Sequence, residues 1–158
     1  YNITPYGTEA MHVLRAEKGY IIVGQETDGS VTPIDLDMNW IVSKKKYDFI
    51  GKRALNRSDT VKENRKQLVG ILTVDPSIVL EEGSHLVEVE TSIPMAMVGH
   101  ITSSYYSPNL GRSIALGLVK SGTKKKGTKL IVPTANKSIE VEITSPVFID
   151  PENERLFA

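Results

Sequence analysis

The 158-residue chain is 40% hydrophobic and 24% charged, the balance of one globular domain with a core of its own. Its 19 basic and 19 acidic side chains cancel, which argues against a dedicated nucleic-acid binder and is common in chains that have a partner or a larger parent. The absence of cysteine excludes disulfides, thiolate metal sites and cysteine nucleophiles, and no apolar run approaches the roughly 20 residues that span a bilayer.

No signal peptide is recognisable, and a sequence opening on Tyr1 reads as a piece of something longer. A cytoplasmic protein with no membrane or nucleic-acid partner is expected. Thr4-Pro5 has the form of an N-cap followed by proline at the first helical position. Tyr6, Ala10, Val13 and Leu14 then recur at helical spacing, and Gly19 suits a helix end, so a helix is predicted over 5–17. The apolar run 20–23 predicts an extended segment, Asp28-Gly29 a turn, and 40–42 a further short strand. Asp48 is placed to cap a second helix over 49–56, and the charged stretch 58–66 reads as a linker.

From Gln67 the pattern changes. Short β-type runs at 68–74, 85–89, 97–104, 113–119, 130–132 and 138–144 are separated by Gly, Pro and Asn. In the last, Ile139, Val141 and Ile143 alternate with Glu140 and Glu142. Six such runs predict a small antiparallel barrel or sandwich.

Several near-motifs fail. The run 122–129 has the glycines of a P-loop, but Thr128 precedes Lys129 and its flanks read as strands, so a lysine-rich turn is expected. Asp35-x-Asp37-x-Asn39 begins like a calcium loop, yet Trp40 and Lys46 stand where glycine and glutamate belong. His12, His85 and His100 are scattered. Ser103, Ser104 and Ser107 lie near His100 without a nucleophile elbow. Lys44, Lys45 and Lys46 read as a solvated face. Tyr105-Tyr106 suits either a stacked ligand or an exposed hairpin contact.

Two readings fit the end of the first helix. Arg15, Lys18 and Tyr20 offer cations and a ring face to a planar ligand with an anionic tail, and Glu17 offers an acceptor for its N–H groups. Equally, the cations suit a helix C-terminus, Arg15 and Glu17 an internal pair, and Tyr20 a buried position.

The stretches Leu14-Arg-Ala-Glu-Lys-Gly19, Gly24-Gln-Glu-Thr-Asp28 and Thr32-Pro33 resemble the glycine-cleavage T-protein (aminomethyltransferase) family. So do Met38-Asn-Trp-Ile-Val42, Asp48-Phe-Ile-Gly-Lys-Arg-Ala-Leu55, Ser107-Pro-Asn-Leu-Gly-Arg-Ser-Ile-Ala-Leu-Gly117 and Ser145-Pro-Val-Phe148, all in collinear order. Within the family the segment 7–19 is most similar to alpha subunits of heterotetrameric sarcosine oxidases, with dimethylglycine-type enzymes as neighbours.

The resemblance implies an α+β fragment. Residues 1–59 would be the remnant of a folate-binding aminomethyltransferase domain, and residues 60–158 a six-stranded antiparallel β-barrel. It implies a one-carbon transfer to tetrahydrofolate, with folate itself as nucleophile and hence no catalytic residue in this chain. The isolated piece would be inactive, FMN, FAD and NAD would sit elsewhere in the parent complex, and the other oxidase subunits would be partners. Tyr20, Arg15, Glu17, Met11 and Lys18 are the implied folate-binding positions, and Thr32-Pro33 and Trp40 shape the wall behind. Met11 departs from the arginine that T-proteins place four residues before Arg15, which leaves the tail contact to Lys18 or a partner residue. The family's key aspartate and pterin-binding glutamate belong to an amino-terminal half outside this sequence. A T-protein acting with a lipoyl carrier and a mainly subunit-docking domain are the rival readings.

Overall fold

Six runs of strand-forming residues close into a ring. The computed structural model describes residues 2–91 and 93–157. It contains one helix, α1 (Thr8–Glu17), and strands β1 (Lys66–Thr73), β2 (His85–Val87), β3 (Met97–Ser107), β4 (Arg112–Lys120), β5 (Lys129–Pro133) and β6 (Ser138–Thr144). All neighbours are antiparallel, in the closed order β1-β4-β3-β2-β5-β6, with β6 returning to β1. Each of the six strands predicted from Gln67 onward is present.

Side-chain alternation explains why the ring is filled and why one side of it is covered. On β6, Ile139, Val141 and Ile143 point inward while Glu140 and Glu142 stay in water. Strands β1 and β4 are instead buried on both faces. Val69, Ile71, Ala115 and Val119 join the barrel interior. Leu68, Ile114, Leu116 and Leu118 form an outer cluster with Ala16 of α1 and Leu36 of the connecting loop. Each fully buried Leu or Ile contributes about 1.5–3 kcal/mol, so this outer cluster fastens the helix and loop to the barrel.

A bulge in β3 serves the same side. The register against β4 shifts between Ile101 and Ser103. The extra residue reverses the alternation, so Ile101 packs inside the barrel while Ser103 and Tyr105 face the helix.

The segment before the barrel differs from its sequence reading. The helix starts at Thr8 with Gly7 as N-cap and no side-chain cap, so Thr4-Pro5 lies outside it. Residues 20–22 pair with no strand, and only an isolated bridge joins Val23 to Thr27. The run around Trp40 is a 3-10 turn, Asn39–Ile41. The expected second helix is reduced to Ala54–Asn56: Asp48 caps only the N–H of Phe49, and Gly51 at φ +94° interrupts the helical path. Among the described residues no helix is long and apolar enough to cross a membrane.

Candidate functional site

Gly19 ends α1 in the left-handed conformation, at φ +69°. The chain reverses, and the N–H of Tyr20 donates to the carbonyl of Arg15 at 2.9 Å. The Arg15 guanidinium returns the bond to the Tyr20 carbonyl at 3.1 Å. It also reaches Gln25, Ser103 at 2.6 Å and Tyr105, and lies 5.6 Å from the centroid of the Tyr105 ring. Its counter-charge is Glu26 at 3.2 Å, with side-chain exposures of 9% and 0%. Glu26 in turn accepts from the Ile22 N–H at 2.7 Å and the Ser103 hydroxyl at 2.6 Å.

The pairing of Arg15 with Glu17 expected under the structural reading is therefore replaced by one with Glu26. Residues two apart on a helix do not face each other. Glu17 is buried on another side, where it accepts from Ser107 at 2.5 Å and, at its two oxygens, from the Asn109 amide at 2.9 and 3.1 Å. Its carbonyl takes the N–H groups of Phe148 and Ile149. Lys18 reaches the Asp150 carbonyl at 2.5 Å and Asn153 at 2.8 Å. Met11 is exposed, one turn before Arg15.

Tyr20 is not buried. It is 60% exposed and lines a recess of about 350 Å³ together with Lys18, Asp37, Trp40 and Leu68. Trp40, 79% exposed, stands at the same rim, and Leu36 and Leu68 supply an apolar floor. Two aromatic residues, a carboxylate and a dry floor suit a flat, hydrogen-bonding ring, while the Lys18 ammonium at the edge is held by Asp150 and Asn153. The volume lies at the small end of ligand pockets.

The loop behind this recess is held by a second buried pair. Arg65 binds Asp35 with two nitrogens, and Asp35 also accepts the N–H and hydroxyl of Thr32 at 2.8 Å each. Burial would raise the Asp35 carboxyl, but the bonds from Arg65 and Thr32 and the Arg65 charge hold it below its ordinary 3.8. Asp35 thus closes a loop of which Thr32 is part, while Asp37 lines the recess.

The remaining sequence candidates separate. Residues Gly122–Lys125 form a 3-10 turn between two strands. His12 packs beside the Tyr105 ring, and Tyr106 is exposed. Ser103, Ser104 and Ser107 bond respectively to Glu26, the Leu80 N–H and Glu17. Among the described residues no group of His, Asp and Glu is placed to hold a metal ion. His100 and His85 are cross-strand neighbours, and Nδ1 of His100 lies 3.3 Å from the Lys66 ammonium.

Burial first, then the charges of Lys66 and His85, hold the His100 imidazole below its ordinary 6.5 against the opposing pull of Asp28. On acidification the unfolded chain takes up this proton first, so the contribution to stability is complete above 6.5 and is lost as the pH falls through the folded-state value. His100→Gln is expected to flatten the decline in stability as the pH falls below about 6.5 in urea titrations. An unchanged slope would contradict this assignment.

The geometry can be set beside known proteins. The family model of the glycine cleavage T-protein C-terminal barrel domain matches residues 66–150, more than half of the chain. The chain belongs to this T-protein barrel family. The GCVT N-terminal domain model matches residues 1–46, the part that carries α1, Tyr20 and Trp40. The T-protein barrel is also evident in a solved structure: the glycine cleavage system aminomethyltransferase T from Bartonella henselae superposes with a TM-score of 0.75 at 26% identity, over 89% of this chain and 38% of that one.

Among curated proteins, the sarcosine oxidase subunit alpha of Corynebacterium sp. (strain P-1) is 52% identical over 98% of this chain and 16% of that subunit. The subunit alpha of Rhizobium meliloti (strain 1021) is 38% identical over 99% of this chain and 16% of that subunit. The chain thus spans about one sixth of the length of these relatives.

Proposed function

We propose that this chain is the carboxy-terminal region of a sarcosine oxidase alpha subunit and that its recess forms one wall of a tetrahydrofolate pocket. The observation that carries the reading is the solvent-facing pair Tyr20 and Trp40 over the floor of Leu36 and Leu68. Residues 1–59 then act as the folate-facing part and residues 60–158 as its barrel support. Bound there, tetrahydrofolate supplies the nitrogen that takes up the one-carbon unit left when the amine is oxidised elsewhere in the complex.

This chain binds and orients. Tyr20 and Trp40 offer ring faces, Leu36 and Leu68 exclude water, and the Asp37 carboxylate offers an acceptor to ring N–H groups. Met11 cannot answer an anionic tail and the Lys18 ammonium is held by Asp150 and Asn153, so that contact falls to a partner residue. Arg15 and Glu17 act on the frame, since their polar atoms already bond within the fold. FMN, FAD and NAD belong to other parts of the cytoplasmic complex, and the piece alone is not catalytic.

Calorimetry on the full-length assembled enzyme with folinic acid tests the reading. Tyr20→Ala is expected to weaken binding by about 1–3 kcal/mol, the range for losing an aromatic stacking partner. Unchanged affinity would overturn it.

A subunit-docking role is the second reading. It is favoured by Tyr47 and Ile50, which are fully exposed beside the apolar groove of Ile41, Phe49 and Leu55. Capture of the flavin-bearing subunits without folate, lost on Ile50→Asp, would support it.

A further inference from the structure

We propose that Glu26 is a positioning residue for the recess: it fixes the backbone of residues 20–22 and thereby the face that Tyr20 presents. The inference rests on the folate reading of that recess.

Three observations carry it. First, the Glu26 side chain is fully buried and each of its oxygens is engaged: Oε2 by the Ile22 N–H at 2.7 Å and Arg15 at 3.2 Å, Oε1 by the Ser103 hydroxyl at 2.6 Å. Second, Arg15, which Glu26 neutralises, grips Tyr20 at both backbone polar atoms, by its guanidinium at the carbonyl and by its own carbonyl at the N–H. Third, residues 20–22 belong to no strand ladder, so these bonds replace the pairing that would otherwise fix an extended segment.

The β3 bulge completes the device. By turning Ser103 outward it lets the barrel hold Glu26 and Arg15 together, so the position of Tyr20 is referred to a barrel strand rather than to the loop alone. A carboxylate is required here, because all of its partners donate. A glutamine at this position would present an NH₂ group to at least one of them and would leave Arg15 without its counter-charge; the buried Arg15 Nε already has no partner among the described residues.

The test is a double-mutant cycle in the full-length, assembled enzyme, read as the affinity for folinic acid by calorimetry. Glu26→Gln is expected to weaken binding about tenfold where Tyr20 is present, within the coupling range of residues in one hydrogen-bond network, and to change little in the Tyr20→Ala background. Thermal unfolding of the same variants reports the structural cost separately, and that cost is expected in both backgrounds. If Glu26→Gln does not assemble, Ser103→Ala carries the same cycle with a smaller loss. Equal losses of affinity in both backgrounds, or no loss in either, overturn this inference while a loss in Tyr20→Ala alone leaves the folate reading standing. Unchanged affinity in Tyr20→Ala overturns both.

Discussion

Asp35→Ala is expected to lower the unfolding free energy by about 3–5 kcal/mol, the range for removing one partner of a buried ion pair. The Asp35 side chain is 2% exposed and that of Arg65 18%, so a cation stripped of its counter-charge keeps only limited access to water. The N–H and hydroxyl of Thr32 lose their acceptor in the same step. The bond from the Leu68 N–H to the Asp35 carbonyl, 2.7 Å, survives because it belongs to the backbone. The loss should emerge in urea titration as a lower midpoint with little change in slope. A change under about 1 kcal/mol would place the pair with ordinary surface ion pairs. Because the folded-state carboxyl is depressed, its stabilisation is present above 3.8 and disappears as pH falls through the folded-state value; Asp35→Ala should remove that part of the acid response.

Gly19→Ala is expected to cost about 2–5 kcal/mol, combining the left-handed backbone penalty with overpacking. At φ +69° a Cβ would stand 2.6 Å from the carbonyl oxygen of Pro146 and 2.9 Å from its carbon, and these are backbone atoms that cannot step aside. Gly24 supplies the control. It has φ +99°, and a Cβ there would meet nothing within 4 Å, so Gly24→Ala carries the backbone penalty alone. The difference between the two variants in thermal unfolding measures the approach of residue 146 to the helix end. Similar losses in both would mean that this approach relaxes. Since Gly19 also lines the recess, its variant should weaken folinic acid binding as well.

The barrel was readable because its signal is local. Alternation of Ile139, Val141 and Ile143 with glutamates needs no knowledge of the rest of the chain, and Gly or Asn between runs marks the turns. The 3-10 turns at Asn39–Ile41 and Ala54–Asn56 were not readable, since three residues carry no period and Trp40 imitates a strand residue while facing solvent. The recess was half visible. Tyr20 and Trp40 stand out as aromatics in a matched motif, but Leu68, which floors it, comes from a strand more than twenty residues later. Glu26 stood inside the matched stretch 24–28, but nothing pointed to its partners, which are four, eleven and 77 residues away, and only the β3 bulge brings Ser103 to it. Asp35 looked like a failed calcium ligand because the same residue types that bind cations also close loops.

The outer cluster has a consequence for synthesis. Helix α1 is translated before the elements of this chain that it rests on: Leu68, the three apolar residues of β4, and lastly the N–H groups of Phe148 and Ile149 that bind the Glu17 carbonyl. The ring itself cannot shut until β6 reaches β1. The bonds between the Glu17 carbonyl and residues 148 and 149 therefore form only after more than a hundred further residues of chain, and this topology favours docking the helix on the barrel after the ring has closed.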